Sequence, residues 1–360
     1  MKVIIVSTVG LIYDGITSVI LSYLEEMDLT GMEVYVAGTI EVKPNIRERI
    51  EVLGCHIVDL PSRKVNPFFY ALELEKFIRK NHIQVIHAHG NSGTLAIEMV
   101  AAWLGGCNKR ISHSHNTCCD QVKADRLLRP VFNLFYTDAL SCGTAAGKWL
   151  FDKKPFTILT NGRNVNVFTY NSVIRRAVRN EYGINDELVI GHVGGFFEQK
   201  NHKFLLEIYR AILELKPTAK LFMIGDGPLK KEIESKANDI KNSVIFTGTT
   251  DRISDYLQAM DGMLLPSHFE GLPLVAVEWQ LNGLPCVFAD SVTNECVLTD
   301  TVEFMSLNDS ADQWATKIID MVKQSDRAKN AAIAMPKVRE AGFDIKDSAA
   351  VLKKIYLTKG

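Results

Sequence analysis

Short apolar runs alternate along the chain with longer segments in which apolar residues recur every three or four positions. The short runs are rich in Val, Ile and Leu and read as strands buried on both faces; the longer ones read as amphipathic helices. The pattern predicts strands at residues 2–7, 33–37, 55–60, 84–88, 110–114, 139–142 and 156–159, with helices at 16–27, 67–81, 94–104 and 145–151. After a polar stretch, 160–183, that has no strong period and reads as a bridge, the pattern restarts. Strands are expected at 187–193, 220–224, 244–247, 262–265 and 285–289, and helices at 202–215, 229–238, 273–281 and from 311 onward. Two trains of βα units imply an α/β protein with two doubly wound parallel sheets, helices on both faces of each. In such sheets the ligand lies beyond the carboxyl ends of the strands, so the chemistry is sought there.

Composition narrows the picture. A chain of 360 residues suits two domains, and 47% apolar content is enough for two cores. Net charge is −1, which gives no bulk attraction to nucleic acid; residues 1–165 hold 18 Lys and Arg against 16 Asp and Glu, a slight lean toward anionic partners. The seven cysteines follow no framework spacing and are odd in number, as expected of reduced thiols in cytoplasm. The opening MKVIIVSTVG reads as a buried strand rather than a signal peptide. No run approaches the roughly 18 apolar residues of a spanning helix, so the chain is not expected to cross a membrane.

Several strand ends carry polar or glycine-rich signals. Tyr13-Asp14-Gly15 precedes a helix, where a glycine lets backbone approach a phosphate. His87 and His89, then His113 and His115, close two strands, each pair on one face of its strand. Three readings stand open for them: polar caps, substrate contact or proton traffic, and a zinc site with Cys118 and Cys119 close by. Gly194-Gly195 and then Lys200 follow the first strand of the second half, as a phosphate-binding turn would. Ile224-Gly225-Asp226-Gly227-Pro228 is helix-start grammar that requires no ligand.

HFEGLPLVAVEWQ, residues 268–280, is the most informative stretch. Pro273 suits the first turn of a helix and Gly283 its stop, which puts Glu270 in the preceding loop and Glu278 about two turns inside. Were the whole run helical, the two carboxylates would stand about 12 Å apart along its axis, a span that fits the two ends of a nucleotide-sugar. The backbone amides of Gly271, Leu272, Leu274 and Val275 are candidate donors to a diphosphate between them; Pro273 has none to give. Carboxylates accept paired hydrogen bonds from vicinal hydroxyls.

Glu270-x7-Glu278 after Pro266-Ser267 resembles the E-x7-E motif of retaining glycosyltransferase family 4. Supporting pieces fall in family order over nearly the whole chain: Tyr13-Asp14-Gly15, His89, residues 110–117, Thr160-Asn161-Gly162 with Phe168, residues 191–202, Ile224-Gly225-Asp226-Gly227-Pro228 and Phe246-Thr247-Gly248. RISHSHNT and EQKNHKFLL are similar to the bacterial subgroup that builds exopolysaccharide and capsule repeat units. The resemblance implies the GT-B fold, two Rossmann-like domains facing across a cleft. Residues 1–165 would bind the acceptor and 166–341 the donor, with a last helix near 342–358 packing back on the first domain. It implies transfer of a hexose from a nucleotide-sugar, usually a UDP-hexose, with retention and with no cofactor or metal; the chain has no Asp-x-Asp triplet. It assigns Glu278 to the ribose, Glu270 to the donor sugar, Lys200 and Gly15 to the diphosphate, and His115 to the reacting centre.

One departure matters. The family reads Val-Gly-Arg where this chain has Val193-Gly194-Gly195, so a diphosphate-clamping cation is missing, and Arg163 is the expected substitute. Acceptors of the subgroup are lipid-linked at the inner membrane leaflet. Arg63 and Lys64 before Phe68-Phe69-Tyr70, with Lys109, Arg110, Lys123, Arg126 and Arg129, suit peripheral contact with an anionic surface. Two other functions remain open at this level: a subunit that binds nucleotide-sugar or glycan without transfer, as Gly195 suggests, and a UDP-sugar epimerase on the same architecture.

Overall fold

The structure is a computed structural model and describes residues 1–358. The chain forms two compact units, Met1–Gly162 together with Asp344–Gly360, and Arg163–Phe343.

The first unit is built on seven strands: β1 (Lys2–Ser7), β2 (Glu33–Gly38), β3 (His56–Asp59), β4 (Val85–His89), β5 (Lys109–Ser114), β6 (Asp138–Ser141) and β7 (Thr157–Ile158). All pair in parallel in the order β3-β2-β1-β4-β5-β6-β7, so connectivity reverses direction between β1 and β4. Ser7 stands opposite His89 and His89 opposite His113, which aligns the carboxyl ends of β1, β4 and β5. Val3 to Val6, Ile86, Ala88 and Ile111 are buried, as continuous apolar strands covered on both faces must be. The helix Ile345–Leu357 belongs to this unit and packs on the helix Gly15–Glu26; Tyr356 is buried and Lys353 Nζ meets Asp28 Oδ2 at 2.7 Å.

The second unit has six strands, all parallel: β8 (Val189–Val193), β9 (Lys220–Ile224), β10 (Val244–Gly248), β11 (Gly262–Leu265), β12 (Cys286–Ala289) and β13 (Val302–Met305), in the order β10-β9-β8-β11-β12-β13. Its reversal lies between β8 and β11, beyond which the loops at Gly194 and Pro266 emerge. Both sheets are doubly wound, as the hydrophobic pattern implied.

Helices Pro67–Asn81 and His202–Leu215 and strands β1, β9 and β11 fall on their expected bounds. Helices Pro44–Val52, Val122–Phe135 and Ser172–Glu181, and the edge strand β13, are not in the predicted set. Ser172–Glu181 is a helix within 160–183, the polar stretch read as a bridge with no strong period. It buries Val178 and Arg179 and rests the partly buried Ile174, one turn before Val178, on the core of the second unit, a narrow apolar stripe in a segment that is otherwise polar and charged. Polar contacts fix it as well: Asn171 caps it by accepting from the Val173 and Ile174 amides, and Arg175 Nη1 donates to the carbonyls of Gln258, Ala259 and Met260.

Candidate functional site

In the second unit three strand ends are laced together by main-chain hydrogen bonds. Gly194 N–H donates to Ile224 O (2.9 Å), Phe196 N–H to Asp226 O (3.0 Å) and Gly225 N–H to Gly248 O (3.0 Å). Gly225 has φ +141°, and a Cβ there would lie 2.1 Å from Gly194 O, so only glycine closes this turn. A 3-10 turn, Glu198–Lys200, follows and clips the loop after β11. His268 N–H donates to Gln199 O (2.8 Å), Gln199 Nε2 to Phe269 O (2.9 Å) and Glu270 Oε2 (3.2 Å), and Lys200 Nζ to Glu270 Oε1 (2.7 Å). A Cβ on Gly194 would approach Lys200 Cε at 3.1 Å, so the glycine gives the lysine stem its path. A Cβ on Gly195 would meet the ring of Phe197 at 2.6 Å.

The helix after this loop runs Leu274–Leu281, with Pro273 at its N-cap and Gly283, φ +72°, just past its end. Residues 270–273 are not helical, so Glu278 lies little more than one turn in rather than two, and the axial span reckoned for an all-helical run does not apply. Gly271, Leu272, Leu274 and Val275 lie between the two glutamates, and Leu274 and Val275 open the helix, where main-chain donors have no intrahelical acceptor. Gln280 anchors the helix beneath, its Oε1 accepting from the Leu298 and Thr299 amides.

Glu278 is buried, and its Oε1 accepts from Arg163 Nε at 2.6 Å. Its Oε2 is buried too and accepts from no described residue. Burial pushes the carboxyl up from its usual range, and the charge and hydrogen bond of Arg163 act against that rise. The guanidinium expected at the diphosphate thus has its Nε committed to the carboxylate at the other end of the motif. His192 and His202 pack beneath the same loops as neutral rings, driven by burial to about 4 and about 2. His202 stacks on Phe196 at 4.2 Å between centroids.

In the first unit Gly15 opens a helix capped by Asp14, whose Oδ1 accepts from Thr17 N–H at 2.8 Å. A Cβ on Gly15 would meet no atom within 4 Å, so packing inside the protein does not demand a glycine here. His115 is partly exposed; its main-chain N–H donates to Asn91 Oδ1 (2.8 Å), and its ring bonds His89 Nδ1 (2.8 Å) and approaches Asn161 Nδ2 (3.5 Å). Burial holds it neutral, down to about 3. Gly15 and His115 belong to different strand ends of the same sheet edge.

His87, His89 and His113, at the ends of β4 and β5, are fully buried. His87 bonds Tyr356 Oη at 2.6 Å and His113 Nδ1 at 3.1 Å, and burial keeps all three well below the usual histidine range. One nitrogen from each falls within 4.8 Å of the others; Cys118 and Cys119 are not in that group, so the cysteine part of the zinc reading is corrected. Sequence reasoning passed over Gln199 and Asn91 as site residues. Each is a common loop residue, and only the chain's return from a distant strand gives it a partner.

Residues 187–324 match the family of glycosyl transferases group 1. A putative glycosyltransferase, EpsF, of Bacillus subtilis is 32% identical over 333 residues, covering 86% of this chain and 84% of the relative. The UDP-Gal:alpha-D-GlcNAc-diphosphoundecaprenol alpha-1,3-galactosyltransferase of Escherichia coli is 24% identical over 260 residues, 66% of each chain. Among solved structures, HepE of Anabaena in complex with UDP-glucose superposes with a TM-score of 0.80 at 16% identity, over 99% of both chains. Two parallel-sheet units of this kind are the GT-B architecture. With a relative of that identity matched over most of both lengths, the chain belongs to the group 1 glycosyltransferases.

Proposed function

We propose that this glycosyltransferase moves a hexose from a UDP-hexose to a lipid-linked glycan, with retention at the anomeric carbon and without a metal ion. The carrying observation is the arrangement around one helix start: Lys200 and Glu270 paired on one side, Glu278 a turn inside, and the main-chain amides of the helix start between. A diphosphate laid there would draw Lys200 Nζ and the amides of Gly271, Leu272, Leu274 and Val275. Glu270 is then released to accept from sugar hydroxyls, while Glu278 accepts from the ribose. Charge that gathers on the phosphate oxygen as the C1–O bond breaks meets these donors, already oriented. The acceptor hydroxyl forms the new C1–O bond on the same face and its proton passes to the departing phosphate. His115, neutral and part-exposed, is proposed to hydrogen-bond the transferred sugar, and Gly15 to leave room for phosphate.

Support for the donor comes from HepE, solved with UDP and with UDP-glucose, and support for the acceptor from the E. coli relative, whose name gives alpha-D-GlcNAc-diphosphoundecaprenol as its acceptor. The surface of the first unit adds to this. The helix Val122–Phe135 exposes Leu127, Val131 and Leu134 on one stripe, flanked by exposed Lys123 and Arg126; the helix Pro67–Asn81 exposes Phe68 and Phe69 beside Lys64. The basic set is smaller than the sequence suggested. Arg63 is bound to Glu98, Arg129 to Asp125, Lys109 to Thr358 and Arg110 to main-chain carbonyls, which leaves Lys64, Lys123 and Arg126. No helix among the described residues is long and apolar enough to cross a membrane.

Release of UDP from a donor panel, with and without an undecaprenyl-diphosphate-linked sugar and with and without chelator, tests the reading. Release that requires acceptor and is indifferent to chelator supports it. Donor binding with no release supports the second reading, a binding subunit, for which Gly195 in place of a cation is the specific observation. Flotation with phosphatidylglycerol vesicles, lost in a Lys123→Glu/Arg126→Glu variant, tests the membrane contact; no flotation at low salt overturns it.

A further inference from the structure

We infer that Arg163 is a positioning residue: it fixes one oxygen of the Glu278 carboxylate, so that the other oxygen is presented to a donor hydroxyl. The inference rests on the reading of Glu278 as the residue that receives the ribose.

Glu278 lies on a short helix whose buried face meets the segment just after Arg163. Val277 and Leu281 pack with Val165, Val338 and Phe343 in a small core of their own. Arg163 is pinned at its backbone as well, its N–H donating to Phe343 O at 2.8 Å. The side chains of the pair are 5% and 6% exposed, so neither charge is sustained by water. Their contact is a charge-assisted hydrogen bond, Nε to Oε1 at 2.6 Å. Oε2 lies buried without a described partner. An acceptor in that condition is costly to leave unmet, and an incoming hydroxyl is the chemistry that satisfies it. The choice of arginine matters: a rigid, permanently charged fork holds a carboxylate in one orientation, whereas a lysine would supply charge without fixed direction. Trp279 and Gln280, the next residues along, are fully buried, so the carboxylate has little rotational freedom to find its own geometry. The departure at Asn161-Gly162-Arg163 therefore acts at the nucleoside end of the donor and does not replace the cation missing at Gly195.

The test compares titration of the full chain with UDP and with 2′,3′-dideoxy-UDP. The wild type is expected to prefer UDP by about tenfold to a hundredfold, the scale of a hydrogen bond to a charged acceptor. Arg163→Met is expected to bring that ratio close to one, and to lower it more at pH 6.5 than at pH 8.5. The sign follows from burial: without the guanidinium the Glu278 carboxyl rises further, and protonation removes the acceptor. A merely structural role would weaken both nucleotides alike and leave the ratio intact, and an Arg163→Met variant that keeps the wild-type ratio overturns the inference. Should that variant not fold, Arg163→Lys decides: a ratio reduced at least threefold supports positioning, an unchanged one refutes it. If the wild type and Glu278→Gln both fail to discriminate the two nucleotides, it is the ribose reading of Glu278 that fails.

Discussion

At the scale of single residues, the charged side chains of the site, Lys200 with Glu270 and Arg163 with Glu278, are paired with one another. Lys200 and Glu270 neutralise each other at 2.7 Å, and the lysine side chain is 17% exposed against 7% for the glutamate. A substrate must compete for both, which suits a site whose empty form has to stay folded. Lys200→Ala is expected to lower kcat by about 10²–10³-fold, the usual cost of losing one preorganised donor to developing negative charge. UDP release under saturating donor measures it; a loss confined to KM would show that the lysine binds without favouring the transition state. Because Lys200 and Glu270 touch, the double variant Lys200→Ala/Glu270→Gln is expected to fall short of the sum of its parts.

At the scale of elements, the helix Leu274–Leu281 is placed by its ends. Gly283 ends it at φ +72°, and a Cβ there would lie 2.3 Å from Arg327 O. The neighbouring helix Arg327–Glu340 packs against this end, and Arg327 donates to the carbonyls of Leu257, Gln258 and Met260 as well as to Asn282. Gly283→Ala therefore carries both backbone strain and a clash, and is expected to destabilise the second unit by about 1–3 kcal/mol or more. A lower urea midpoint with unchanged slope checks it; an unchanged midpoint would show that the helix end relaxes freely. In the first unit the buried pair Arg63–Glu98 plays a similar locating role. It ties the turn before the helix Pro67–Asn81 to the helix Ala96–Leu104, with a second arginine bond to Thr94 O.

At the scale of the whole molecule, buried neutral histidines set a pH dependence. His87, His89, His113 and His115 in the first unit, and His192 and His202 in the second, are all held below the ordinary value of 6.5 by burial. A group whose folded pKa is depressed takes up its proton in the unfolded chain first. Stability is therefore full above about pH 6.5 and falls as pH drops toward the folded values, by at most about 1.4 kcal/mol per histidine per pH unit. With four such groups against two, the first unit is expected to lose stability about twice as steeply from these groups between pH 6 and 5. Hydrogen exchange of β4 and β5 amides, compared with β8 and β11, reads the two slopes separately. Equal slopes would mean that the four-histidine ladder takes up protons without unfolding.

The sequence by itself determined the architecture, because strands buried on both faces must be written as unbroken apolar runs and the spacing between them leaves room only for crossover helices. It also marked the motif residues Glu270, Glu278 and Lys200, since their types and order along the chain carry the signal. Only the tertiary structure decided what those residues touch. Arg163 and Glu278 stand far apart in sequence, as do Lys200 and Glu270, and nothing local says which cation meets which carboxylate. The same holds for the basic residues of the first unit, of which Arg63 and Arg129 prove internal. The helix Ser172–Glu181 also stayed hidden, because its apolar stripe, Ile174 and Val178, is narrow in an otherwise charged segment and its arginine bonds go to distant carbonyls. Burial is encoded position by position and can be read in one dimension; pairing is a property of which strand ends the fold brings side by side.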